Sequence, residues 1–114
     1  EAPAGIASIE CSVAVALDSW QRFGKPVSLE RLLTLFTSGP AALLPEPWTS
    51  LGRLAEGATA DVTVIDPDAM RMVDVKSWKS KARICPWDGN ILRGWPVMTL
   101  VEGNVVMNRL GDGE

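Results

Sequence analysis

The sequence predicts an α+β chain, helical to about residue 45 and built of β-strands from about 51 to 109. Two observations carry this. Apolar residues recur at helical spacing in the first half and in β-branched runs in the second. Between the halves, Pro45-Glu46-Pro47 forbids helix and marks the change of period.

Residues 1–7 read as a loop, with Pro3 and Gly5 as breakers. Ile9, Val13, Ala16, Leu17 and Trp20 then share one helical face, with Ser8 as expected N-cap and Glu10 in the first turn. Gly24 followed by Pro26 is the expected stop. A second helix starts after Ser28, with Leu29, Leu32, Leu33 and Phe36 on its apolar face. Glu30 lies near its positive end, and the helix closes near Gly39. Pro40 to Leu44 reads as one more turn, with proline at its first position.

In the second half Asp61 to Ile65 is a β-branched strand, closed by Asp66-Pro67-Asp68 as a turn. Arg71-Met72-Val73 reads as a separate short strand, and Val75 to Lys79 as one helical turn. Gly52 and Gly57 sit at turn positions before the first strand, and Asp88-Gly89 is another turn signal. Ile91-Leu92 opens an extended stretch that continues through Val97 to Val101. Glu102-Gly103-Asn104 then turns it into Val105-Val106-Met107 as a hairpin, and Gly111 to Glu114 reads as a frayed tail.

Hydrophobic residues make up 46% of the 114, enough for a core. The net charge of −3 argues against nucleic acid, whose phosphates demand a basic surface. Runs of like charge never exceed two residues. No apolar stretch approaches the roughly 18 residues of a membrane span, and the N-terminus has no signal-peptide pattern. The chain does not begin with Met, and the expectation is that an upstream segment is missing. Cys11 and Cys85 allow one disulfide by parity; the plainer reading is two buried or half-buried thiols. With no histidine in the chain, a cysteine nucleophile has no imidazole base. Asp61 at the strand start is expected to accept backbone N–H groups from the Gly57–Ala60 turn, the alternative being a plain surface charge. Trp87 reads as a core plug in preference to a stacking platform for a ligand, and packing accounts for the other four tryptophans.

Four ordered segments carry a resemblance. They are Ala2-Pro3-Ala4-Gly5-Ile6-Ala7-Ser8-Ile9-Glu10; Ser28 to Leu33 with Ser38-Gly39-Pro40-Ala41; Leu51 to Val62; and Lys81 to Gly94 with the Val101 to Val106 hairpin. Together they resemble the C-terminal portion of a dihydroorotase, a cyclic-amide hydrolase of the amidohydrolase superfamily. The third segment is similar to a superfamily-wide pattern, and the fourth to one shared with hydantoinases and allantoinases.

The resemblance implies the last helices of a TIM (β/α)8 barrel followed by the C-terminal part of a small β-sandwich. It divides the chain into residues 1–47, terminal barrel loop and helices, and 48–114, sandwich portion. It implies a zinc-dependent, cytoplasmic parent that interconverts N-carbamoyl-L-aspartate and dihydroorotate in pyrimidine biosynthesis. The zinc ligands of that family are histidines, a carboxylated lysine and an aspartate on earlier barrel strands, so this chain is expected to hold no metal, no catalytic residue and no activity of its own. The loop resembling Ala4 and Gly5 lines the substrate pocket in the family, and those two residues are the substrate-contact candidates. The family more often has Phe at Ala4 and Gly at Ser8, and the smaller Ala4 leaves a roomier wall. The implied partners are the missing N-terminal part, further copies through an uncovered sheet edge and apolar helix face, and a transcarbamoylase if the chain is a catalytically dead assembly module. Nucleic acid and membrane are not expected partners.

Overall fold

The computed structural model describes residues 4–111. Ala2 and Pro3 of the first matching segment, and the tail residues Asp112 to Glu114, lie outside them. Helix α1 (Ser12–Arg22) leads to α2 (Leu29–Thr34) and the single turn α3 (Ser38–Ala41). Strands β1 (Val62–Met72), β2 (Ile91–Val101) and β3 (Asn104–Asn108) form an antiparallel sheet in the order β1-β2-β3. Short 3-10 turns occupy Trp48–Ser50 and Val75–Ser77.

α1 begins later than its sequence pattern suggests. Its N-cap is Cys11, which makes no side-chain cap. Ser8 instead closes a preceding turn, its carbonyl accepting from the Cys11 N–H at 2.9 Å. The start is displaced because Glu10 is committed elsewhere: its carboxylate accepts the backbone N–H groups of Lys79 and Ser80. The buried face is therefore Cys11, Ala14, Leu17 and Asp18, while Ile9 is 85% exposed. The end is as expected. Gly24 takes φ 77°, the Lys25 N–H reaches the Trp20 carbonyl at 2.8 Å, and the Gly24 N–H reaches Gln21 at 3.1 Å, a Schellman closure.

Ser28 caps α2, its hydroxyl accepting the Arg31 N–H at 3.1 Å. The helix stops at Thr34, short of Gly39. Its threonines compete for the ladder: Thr34 Oγ1 donates to the Arg31 carbonyl and Thr37 Oγ1 to the Leu33 carbonyl. Phe36 falls beyond the end and is exposed. The next turn starts at Ser38, two residues before the expected Pro40. Proline is tolerated in its third place because the first turn leaves its N–H groups unbonded anyway.

β1 is one strand where two were expected. Asp66-Pro67-Asp68 does make a turn, with Asp66 Oδ1 accepting the Asp68 N–H at 2.9 Å. That turn is a bulge and not a strand end. Asp66 pairs with Trp95 and Met70 with Arg93, so three residues of β1 face Gly94 alone. The opposite side of Gly94 explains why the bulge stays in the sheet. Gly94 is buried with φ 104°, and a Cβ placed there would lie 2.6 Å from Leu17 Cβ. The helix thus rests on bare backbone. Gln21 Nε2 donates to the Pro67 carbonyl at 2.8 Å, and Asp18 Oδ1 accepts the Arg93 N–H at 2.9 Å.

The hairpin forms as expected, with a two-residue loop. Glu102 and Gly103 have φ 50° and 80°, the positive values a type I′ turn demands. Asp61 is tied to this turn and not to residues 57–60: its Oδ1 accepts the Glu102 N–H at 2.8 Å. Gly52 and Gly57 do have positive φ, 74° and 80°. The core comprises Cys11, Ala14, Val73, Leu92 and Trp95, rimmed by Val15, Ala69, Trp78, Cys85 and Trp87. Trp87 is thus a half-buried plug, and the Trp95 indole N–H is satisfied by the Leu92 carbonyl at 2.9 Å.

Candidate functional site

The two substrate-contact candidates lie in one groove. Ala4, Gly5, Ile6 and Ala7 form one wall and Ala82, Arg83 and Ile84 the other, enclosing about 460 Å³. The strips are joined where the Ala7 N–H donates to the Ile84 carbonyl at 2.7 Å. The second strip is positioned from behind by Glu10, whose carboxylate holds Lys79 and Ser80. A Cβ built on Gly5 would meet nothing within 4 Å, so the wall there opens onto free space. Ala4 and Gly5 are exposed, and Ile6 and Ile84 form exposed apolar lips at 56% and 58%.

The chemistry available to the groove is narrow. Among the described residues that line it Arg83 is the only ionisable side chain, and it folds back on its own loop, donating to the carbonyls of Ala82 and Trp78 at 3.3 and 3.4 Å. A guanidinium does not deprotonate and serves as no base. Apolar side chains and backbone groups can seat a ring edge, but cannot move a proton.

A second groove, of about 520 Å³, runs between α1 and the start of β2, lined by Val15, Asp18, Ser19, Arg22, Trp87 and Asn90 among others. Asp18 is the one charged side chain buried there, at 7% exposure. Both its oxygens are engaged, Oδ1 by the Arg93 N–H and Oδ2 by Arg22 Nε. It acts as a clasp between helix and bulge, not as a free acid. Asp18 is a site residue that the helical apolar pattern alone does not mark. The signal was present: Asp18 and Arg22 stand four apart, beside Leu17, on the face that packs inward.

Among the described residues no group of three or more His, Cys, Asp or Glu side chains can hold a metal ion. The described residues offer no donor set that fits a zinc ion. Cys11 and Cys85 are free thiols, Cys11 buried and Cys85 half-buried, with Sγ atoms 4.0 Å apart. Burial pushes the Cys11 thiol up from 9.0 to about 11, with Cys85 and Glu10 adding to the shift. No helix among the described residues is long and apolar enough to cross a membrane.

The amidohydrolase family model matches residues 12–107, and the chain belongs to that family. The matched span begins at α1 and leaves Ala4 and Gly5 outside it. A dihydroorotase of Deinococcus radiodurans is 42% identical over 111 residues, covering 96% of this chain and 25% of its own. A dihydroorotase of Thermus aquaticus is 41% identical over 109 residues, covering 96% and 24%. The chain thus spans about a quarter of the length of these curated relatives. Among solved structures, the L-hydantoinase (dihydropyrimidinase) of Arthrobacter aurescens superposes with a TM-score of 0.79 at 32% identity, over 96% of this chain and 23% of that one. A D-hydantoinase (dihydropyrimidinase) from a Thermus species gives 0.73 at 23% identity over 94% and 23%, a likeness of fold alone.

Proposed function

We propose that these residues are the closing scaffold of a cytoplasmic, zinc-dependent dihydroorotase, which interconverts N-carbamoyl-L-aspartate and dihydroorotate in pyrimidine biosynthesis. In this reading residues 1–47 are the terminal loop and helices of a TIM (β/α)8 barrel, and 48–114 are part of a small β-sandwich. The observation that carries it is the 42% identity to a dihydroorotase across 96% of the chain. The role assigned to these residues is to wall and orient, with Ala4 and Gly5 presenting backbone to the substrate ring. Zinc and the acid–base groups belong to the rest of the parent, and the chain alone is inactive. A second reading, part of a hydantoinase, is favoured by the Arthrobacter aurescens structure, similar at 32% identity.

A chimera tests both. The 114 residues replace the matching quarter of the Deinococcus radiodurans dihydroorotase. The expected product opens dihydroorotate. Ala4→Trp within it raises KM about tenfold while kcat stays within about twofold, the signature of lost substrate binding. A folded chimera that hydrolyses hydantoins and leaves dihydroorotate untouched transfers the assignment to the second reading. Stoichiometric zinc on the isolated chain overturns the scaffold role.

A further inference from the structure

The geometry points to Cys11 and Cys85 as a reversible dithiol–disulfide pair that staples the two walls of the Ala4–Ile84 groove together. Four observations carry it. The two sulfurs are 74 residues apart in sequence yet 4.0 Å apart in space. Neither is in a disulfide. A disulfide needs about 2.05 Å between sulfurs, so a closing movement of about 2 Å suffices. Each sulfur also sits at the root of one wall: Cys11 follows the Ala4–Ala7 strip at the N-cap of α1, and Cys85 directly follows Ile84. The walls are otherwise joined by the Ala7–Ile84 hydrogen bond and by Glu10.

The exposures assign an order to the two thiols. Cys85 is half-buried and reachable, whereas Cys11 is 1% exposed. With a small disulfide such as oxidised glutathione as the oxidant, the Cys85 thiolate attacks one of its sulfurs. A mixed disulfide forms, and one glutathione leaves as thiolate and takes up the proton that Cys85 lost. The Cys11 thiolate then attacks Cys85 Sγ. The Sγ–Sγ bond forms, the mixed bond breaks, and the second glutathione leaves with the proton from Cys11. Two protein thiols are oxidised and one external disulfide is reduced to two thiols. The assignment stands on the position of the sulfurs and is independent of the hydrolase reading.

The test uses the full chain, reduced and then exposed to oxidised glutathione, alkylated and digested with trypsin. The expected result is loss of both free thiols, a mass lower by two hydrogens and a linked pair of peptides, residues 1–22 with 84–93, reversed by dithiothreitol. Closure should be at least about tenfold faster in native buffer than in urea, where a long loop must close unaided. Cys11→Ser should stop at a glutathione adduct on Cys85, and Cys85→Ser should leave Cys11 unmodified. The oxidised chain should exchange the Ala7 amide more slowly than the reduced chain. A mixed disulfide that persists in the wild type, a link between two chains, or equal rates with and without urea overturns the pair. Unchanged exchange at Ala7 overturns the staple.

Discussion

Gly94 shows how a missing side chain sets an architecture. Its backbone is the floor on which Leu17 rests, and the three-residue bulge of β1 is accommodated across from it. Gly94→Ala is expected to destabilise the chain by about 2–3 kcal/mol or more, because the methyl both collides with Leu17 and is forced to a positive φ. Urea unfolding of the two proteins measures this. Cys11 offers a second test at the same scale. Its thiol titrates near 9.0 when free and at about 11 in the fold. The folded state therefore holds the proton longer, and the associated stability is complete below pH 9.0. It falls as pH rises from 9.0 toward 11. The stability difference between wild type and Cys11→Ala should shrink across that interval, as read by denaturant titration at each pH; a difference constant with pH refutes the shift. Residues such as these were half legible. That Cys11 would be buried follows from its helical face, but the neighbour that loads its thiol lies 74 positions away.

At the level of elements, the hairpin and the Ser28 cap were readable because their causes are local. Gly103 and Asn104 between two β-branched runs leave few alternatives, as does a hydroxyl before a leucine-rich run. β1 differs from its sequence pattern for the opposite reason. Asp66-Pro67-Asp68 has the same local chemistry whether it ends a strand or bulges within one, and the choice is made by α1, Gln21 and the Arg93 backbone. The start of α1 was missed likewise, since the partner of Glu10 is the distant Lys79–Ser80 loop. Asp61 has the structural role its position suggests, with Glu102 as its partner in place of the 57–60 turn. Its contact with Glu102 predicts that Asp61→Ala speeds amide exchange at Glu102 and costs about 0.5–1.5 kcal/mol, while Asp61→Asn, which keeps an acceptor, costs less.

Across the whole molecule, apolar surface remains uncovered on several sides. Leu43 and Leu54 are 87% and 78% exposed, and the edge strand β3 presents Val105 and Val106 at 55% and 61%. An open, apolar strand edge invites pairing with another copy. Light scattering should therefore show association that grows with concentration, reduced in Val106→Lys; a monodisperse monomer at all concentrations refutes it. The candidate groove was legible only through family likeness. Nothing in the composition of Ala4-Gly5 marks a binding wall, and the opposing strip at residues 82–84 comes from a distant part of the sequence. The absence of histidine, by contrast, is plain in the sequence and leaves both cysteines without an imidazole base.

Helix α2 has no buried residue at all. Its Leu29, Leu32 and Leu33 are only half-buried, so a surface arriving there would cover the remainder of each and gain that part of their desolvation.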